Sequence, residues 1–340
     1  MKELIDTERK DYSARRFLSI WVVVVVAVCA LAGSVAWVAK MSAMVVSGDT
    51  ALYHYQVYKI DNVLEEGSTI FLGDSGAGHA IDASLWQKIS GKPAINLALH
   101  GTAGFRGNYL LLQRILRKAT PDKVVIMATI NNFTRGQEKA LGLRDVLQWQ
   151  DEAGEDWWQK LKYSWHTRLN LPVLWLSVQH IWRVITTKEV FTPYGAYIRG
   201  DYISQNLPEN DLNAEQALLL SQKRIAGYGG KGRGLHLLTV KDVRQSKFEY
   251  LEKISDLCKE KNIRCIFSFA PTLEWRCEHS SAFIEQVRLL LQQRTDMPVV
   301  EHAPLCVSPE KMGDMEFHIH PNYKQQVTKQ YYDILNKYLN

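Results

Sequence analysis

Residues 17–39, FLSIWVVVVVAVCALAGSVAWVA, form a run of 23 without a single charge. At about 1.5 Å per residue such a run would reach roughly 34 Å as a helix, enough to cross a bilayer. Five consecutive valines and the lack of a polar face argue against an ordinary buried helix. Trp21 and Trp37 stand near the two ends, as interfacial aromatics do. Lys2, Arg9, Lys10, Arg15 and Arg16 precede the run, and Lys40 alone follows closely. The positive-inside rule then leaves residues 1–16 as a cytoplasmic tail and 17–39 as a single-pass span of a bacterial inner membrane, with the remainder periplasmic or otherwise extracytoplasmic. The competing reading is a cleaved signal peptide with Ala30-Leu31-Ala32 at the cleavage site, for which the apolar run is long.

Beyond the run, residues 40–67 read as a helical stalk, and 68–340 read as one domain interrupted at about 137–245. STIFLG (68–73), AINLAL (94–99), DKVVIMAT (122–129), IRCIFSFAP (263–271) and MPVVEHA (297–303) read as strands. Segments with helical spacing separate or follow them: IDASLWQKIS, then 104–118, 247–262, 280–294 and 323–339. Buried-type strands alternating with helices predict a five-stranded parallel sheet in a three-layer α/β/α arrangement. Reactive groups should gather at the carboxyl ends of its strands. The interruption holds six of the ten tryptophans, between Trp149 and Trp182, and ends in the glycine-rich loop AGYGGKGRG. Tryptophans at helical spacing belong first to a core; the sharper reading is a sugar-stacking platform or a contact surface for a membrane or partner.

The net charge of +5 is modest and its basic residues are scattered, which excludes a nucleic-acid stripe. Four cysteines lie beyond residue 39: Cys258, Cys265, Cys277 and Cys306. They allow three pairings. Cys277–Cys306 is the favoured pair, because both follow strands and could share one edge of the sheet; buried free thiols are the alternative.

FLGDSGAGHA (71–80) sets Ser75 between an aspartate and a glycine at the end of the first strand. Chymotrypsin-like proteases put their serine last in the chain, after histidine and aspartate. Here only His54 precedes it, and no all-β domain fits before it. An α/β-hydrolase elbow requires G-x-S-x-G, and 73–77 reads G-D-S-G-A. Gly73, Gly76 and Gly78 also miss the dinucleotide-loop spacing. What remains is a serine on a strand-to-helix turn that needs a base from another strand end. EFHIHPNYK (316–324) supplies His320, expected to take the Ser75 proton and return it to the leaving oxygen. The backbone N–H groups of Ser75 and Gly101 and the side-chain amide of Asn131 would form the oxyanion hole. Asp74 is expected to shape the turn. His79 and His100 are expected to pack, and His318-x-His320 lacks a third ligand for zinc, so no metal or other cofactor is expected.

GDS at 73–75, Gly101 after the second strand, Asn131 after the third and a C-terminal His-Pro-Asn at 320–322 together resemble the blocks of the SGNH (GDSL) hydrolases. The resemblance covers about 68–135 and 247–340. With one membrane helix ahead of an exported domain, the chain looks like the cell-envelope O-acetyltransferases and their relatives. That likeness implies an acyl-serine intermediate, a cell-envelope glycan as acceptor and a polytopic membrane O-acyltransferase as partner. Two positions depart from the pattern. The third block reads Thr129-Ile130-Asn131-Asn132, and Phe317 stands where the family's aspartate precedes the histidine by three. Asp314, Glu316 or His318 are the candidate substitutes for that aspartate, with a backbone carbonyl or a bare Ser–His dyad as the alternatives; on an extended chain 316, 318 and 320 share one side, which gives Glu316 and His318 a route toward the site. Three functions follow: a serine O-acyltransferase (acetyl) on an envelope polysaccharide, an exported esterase or deacetylase, or an inactive scaffold of a polysaccharide modification or export complex.

Overall fold

A computed structural model describes residues 16–31, 33–34, 48–134, 238–313 and 316–339. Most of the interruption at 137–245, with its tryptophans and glycine loop, lies outside the described residues, as does Asp314. The chain divides into two compact units, Met1–Ala51 with Asp151–Phe191, and Leu52–Gln150 with Thr192–Asn340. In the first unit, residues 16–31 and 33–34 are helical and their side chains exposed. Among the described residues no helix is long and apolar enough to cross a membrane. This overturns the expectation of a single-pass inner-membrane protein with a periplasmic domain.

The second unit holds a parallel sheet of four strands: β1 (Thr69–Gly73), β2 (Ala94–Asn96), β3 (Lys123–Ala128) and β4 (Arg264–Phe269), in the order β2-β1-β3-β4. The strands are apolar almost throughout and buried, as expected where neither face meets water. The expected fifth strand shrinks to one parallel bridge, Phe267 to Val299. Phe267 donates to Pro298 O and accepts from the Val300 N–H. Pro298 has no N–H to extend the ladder, and the chain turns at Glu301–His302.

Eight helices are described in the elements around this sheet: α1 (Gly48–Asn62), α2 (Ser75–Ala80), α3 (Ala83–Ser90), α4 (Gly104–Lys118), α5 (Phe248–Glu260), α6 (Glu274–His279), α7 (Ser281–Arg294) and α8 (Pro321–Leu339). A short parallel pair, β5 (Thr272–Leu273) with β6 (Cys306–Val307), lies beside α6. Phe71 of β1 meets Trp86 of α3 edge-on at 4.8 Å, and Trp86 meets Tyr332 of α8 at 4.9 Å. Phe267 of β4 instead meets Phe133, which packs on Phe105 of α4 and Phe248 of α5. Neighbouring residues along a strand point to opposite faces, so each aromatic cluster draws on alternate strand positions.

The stalk expectation also gives way. Tyr53, Val57 and Ile60, one face of α1 at helical spacing, are buried in the core. β2 is an edge strand, and its outward carbonyls need partners. Gln56 Nε2 donates to Ala98 O at 2.6 Å, and Lys59 Nζ donates to Asn96 O. From Leu52 onward α1 is therefore the cover of the sheet's open edge.

Candidate active site

The strand order reverses between β1 and β3: β2 follows β1 in sequence but lies on the side away from β3. Such a switch point opens a crevice at the carboxyl ends, and the GDSG turn lies there. Gly73 has φ +152°, and a Cβ on it would stand 1.7 Å from Met127 O. Only glycine lets β1 end so close to β3. A Cβ on Gly76 would stand 2.5 Å from Thr129 Cγ2 and 2.9 Å from Ala270 Cβ. Between them, Asp74 is the N-cap of α2 and accepts the Gly76 N–H at 2.9 Å. Its other carboxylate oxygen accepts from the Thr129 N–H, the Thr129 hydroxyl and Asn132 Nδ2, at 2.9, 2.7 and 2.6 Å. Asp74 thus shapes its own turn and also ties the end of β1 to the end of β3. Thr129 and Asn132 are partners that the sequence reading did not identify.

Ser75 opens α2 and is 8% exposed. Its Oγ lies 2.8 Å from Nε2 of an imidazole, and that imidazole is His318 rather than His320. The placement follows from a hairpin. Met312 and Ile319 form an antiparallel bridge, the Gly313 N–H bonds His318 O, and the His320 N–H bonds Lys311 O. Ile319 enters the core. His320 stands immediately before Pro321, the first residue of α8. Its Nδ1 accepts the Asn322 N–H at 3.3 Å and its carbonyl accepts the Tyr323 N–H. A helix start needs acceptors for its open N–H groups, and His320 is used there. His318 is left at Ser75.

Glu316 is not aligned with His318 along an extended strand; 316–317 form a turn. Its carboxylate accepts from Arg276 Nε at 3.1 Å, from an Arg276 terminal nitrogen at 2.9 Å and from Asn131 Nδ2 at 3.1 Å. The Arg276 and Glu316 side chains are 5% and 14% exposed, so this ion pair is largely shielded from solvent. Its backbone is held as well, since the Leu273 N–H donates to Glu316 O. Asn131, expected in the oxyanion hole, has its amide turned to Glu316, and its Oδ1 is buried without a hydrogen-bond partner. Gly101 follows the β2 ladder: the Leu97 and Leu99 N–H groups bond Phe71 O and Gly73 O, and Gly101 begins the next turn. Cys277, next to Arg276 in sequence, is joined to Cys306 by a disulfide.

His79 lies flat against His318, ring centroids 4.1 Å apart at 27°. The Phe317 ring meets His318 edge-on at 5.8 Å. Burial holds the His79 pKa well below the usual imidazole value, and the neighbouring His318 and Lys324 lower it further. The sequence signal for His79 is its place four residues after Ser75, one turn along the same helix face. Nothing local marks His318 over His320, because which histidine caps α8 is decided by the packed hairpin. Among the described residues no group of three or more His, Cys, Asp or Glu is arranged to hold a metal ion.

Neither a protein-family model nor a curated protein matches this chain.

Proposed function

We propose that the second unit is an SGNH-like serine acyl-transfer enzyme that carries an acetyl-type acyl group on Ser75 and passes it to a hydroxyl of a polysaccharide. The observation that carries this reading is the 2.8 Å contact between Ser75 Oγ and His318 Nε2 at the carboxyl ends of β1 and β3. In this reading the layers follow the α/β/α order of that family, with α3 and α8 on one side of the sheet and α4 and α5 on the other.

A serine hydroxyl is a weak nucleophile until a base takes its proton. His318 accepts that proton on Nε2 as Oγ attacks the acyl carbonyl, so the proton of the neutral ring resides on Nδ1. The tetrahedral intermediate collapses, the bond to the leaving oxygen breaks, and His318 returns the proton to that oxygen. The acceptor hydroxyl then repeats the cycle against the acyl-serine. The oxyanion donors are the Ser75 and Gly101 N–H groups, together with the amide hydrogen of Asn131 that Glu316 does not take. Asp74 keeps Ser75 at the helix start, and the Arg276–Glu316 pair anchors the hairpin that bears His318. A sugar hydroxyl as acceptor makes the site a transferase; water as acceptor makes the same site an esterase.

The test is incubation of the full chain with p-nitrophenyl acetate, followed by peptide mass mapping. An acetyl group on Ser75 is expected. It should vanish in Ser75→Ala and form about a hundredfold or more slowly in His318→Gln, given that a general base contributes about 10² to 10⁴. Release of acetate against transfer to an added oligosaccharide separates hydrolysis from transfer. No acetyl adduct on Ser75 would leave the scaffold reading in its place.

A further inference from the structure

We propose that His79 is a positioning residue, whose flat ring fixes the plane of the His318 imidazole over the nucleophile that the same helix carries one turn earlier. The inference rests on the acyl-serine reading above.

The rotation of a histidine ring about its last side-chain bond is soft, with a broad range of allowed angles. The hydrogen bond to Ser75 Oγ holds one atom of the ring. Two ring surfaces add their restraint to it. His79 covers one face of His318 at 4.1 Å and 27°, and Phe317 meets the ring edge-on. Ser75 and His79 are four residues apart on α2, so one short helix presents both the hydroxyl and the platform. His79 is 2% exposed and His318 6%, so neither ring relies on solvent for its placement. A second imidazole suits this position only while it stays uncharged. His318 becomes cationic each time it takes the serine proton, and a charged ring stacked on it would oppose that step. Burial, His318 itself and Lys324 all act to keep His79 neutral. A plain packing residue would need volume alone; a positioning residue needs a flat, neutral surface.

Three variants of the full chain separate these roles: His79→Phe, His79→Leu and His79→Ala. With p-nitrophenyl acetate as probe, His79→Phe should form the Ser75 adduct within about threefold of the parent rate. His79→Leu and His79→Ala should fall about ten- to a hundredfold in kcat with KM changed less than about twofold, the range that small misplacements of a reacting group produce. In the parent protein with ring-labelled histidines, the His318 ring protons should be displaced by the stacked ring relative to those of exposed His302. The displacement should persist in His79→Phe and shrink in His79→Leu to what the Phe317 ring alone produces. Equal acylation by the leucine and phenylalanine variants overturns the inference while Ser75 chemistry stands. So do unshifted His318 signals in the parent, a measurement that needs no variant to fold. A parent protein that forms no Ser75 adduct removes the acyl-serine reading, and this inference with it.

Discussion

Two short segments supply the halves of the candidate site, and they are specified in different ways. The GDSG turn is set by steric necessity. Gly73 adopts φ +152° against the Met127 carbonyl, Gly76 faces Thr129 and Ala270, and Asp74 gathers four donors within hydrogen-bond reach. Few other residues would fit those places, so the residue types themselves announce the turn. The hairpin at 311–320 has no such constraint. It holds two histidines on an extended stretch, and its roles follow from tertiary competition: Ile319 takes the core, His320 takes the α8 start, and His318 takes the serine. A serine set by local backbone geometry is therefore met by an imidazole set by packing over 243 positions of sequence separation.

The sharpest way to break this contrast is Gly73→Ala. A methyl group 1.7 Å from a carbonyl oxygen must displace β1 from β3. Backbone strain and overpacking each cost about 1–3 kcal/mol, so the loss should reach about 4 kcal/mol, read as a large drop in the urea midpoint. A midpoint close to that of the parent would mean that the turn is not sterically determined. The hairpin side is probed by the Cys277→Ser, Cys306→Ser pair. The bridge spans 29 residues of sequence and adjoins Arg276, which holds Glu316. Its removal should cost about 3 kcal/mol, and melting should fall by roughly 10 °C. If the hairpin depends on long-range ties, acylation of Ser75 should weaken in this variant below its melting transition. An unchanged rate there would show that the base is held without the bridge.

His79 joins the two segments, and its titration gives a smaller effect with a definite sign. Its folded pKa is depressed below the ordinary 6.5, so the unfolded chain binds the proton first. The stability it contributes is complete above about pH 6.5. It declines as pH falls through and below that value toward the folded pKa, by up to about 1.4 kcal/mol per unit. The parent should lose stability faster than His79→Phe over that window. Parallel curves for the two proteins would mean that His79 protonates freely when folded.

The sheet was legible where apolar strands stood between helical segments, because buried parallel strands have few other compositions. Val299 fell short of a strand because Pro298 cannot donate and a turn follows at Glu301–His302, a limit of backbone hydrogen bonding that an apolar run does not reveal. Cys277 and Cys306 are bridged as expected, but not from the ends of sheet strands: Cys306 lies within β6 and Cys277 in α6, which follows β5. The edge cover was not legible. Gln56 and Lys59 look like solvent-facing helix residues until the open carbonyls of β2 are beside them. The Arg276–Glu316 pair was hidden for the same reason, since forty positions separate charges that meet only after α6 and the hairpin are packed. For the charge-free run at 17–39, composition announced a span, whereas among the described residues no helix is long and apolar enough for one.

The smallest expected effect is also the finest discriminator between the two histidines. His320 lies at the start of α8, where its ring accepts one backbone N–H at 3.3 Å, a long bond. His320→Asn keeps a side-chain acceptor of a type favoured at helix starts. The folding cost should therefore stay under about 1 kcal/mol, and Ser75 acylation should change less than about twofold. His318→Asn removes the ring 2.8 Å from Ser75 Oγ and should fall with the loss of a general base. Both substitutions delete an imidazole two positions apart on the same hairpin, so general disturbance of the loop would lower the two rates alike. A wide separation between them is what the packed arrangement demands. The reverse order, with His320→Asn the slower, would mean that in solution the hairpin turns its other histidine toward the serine.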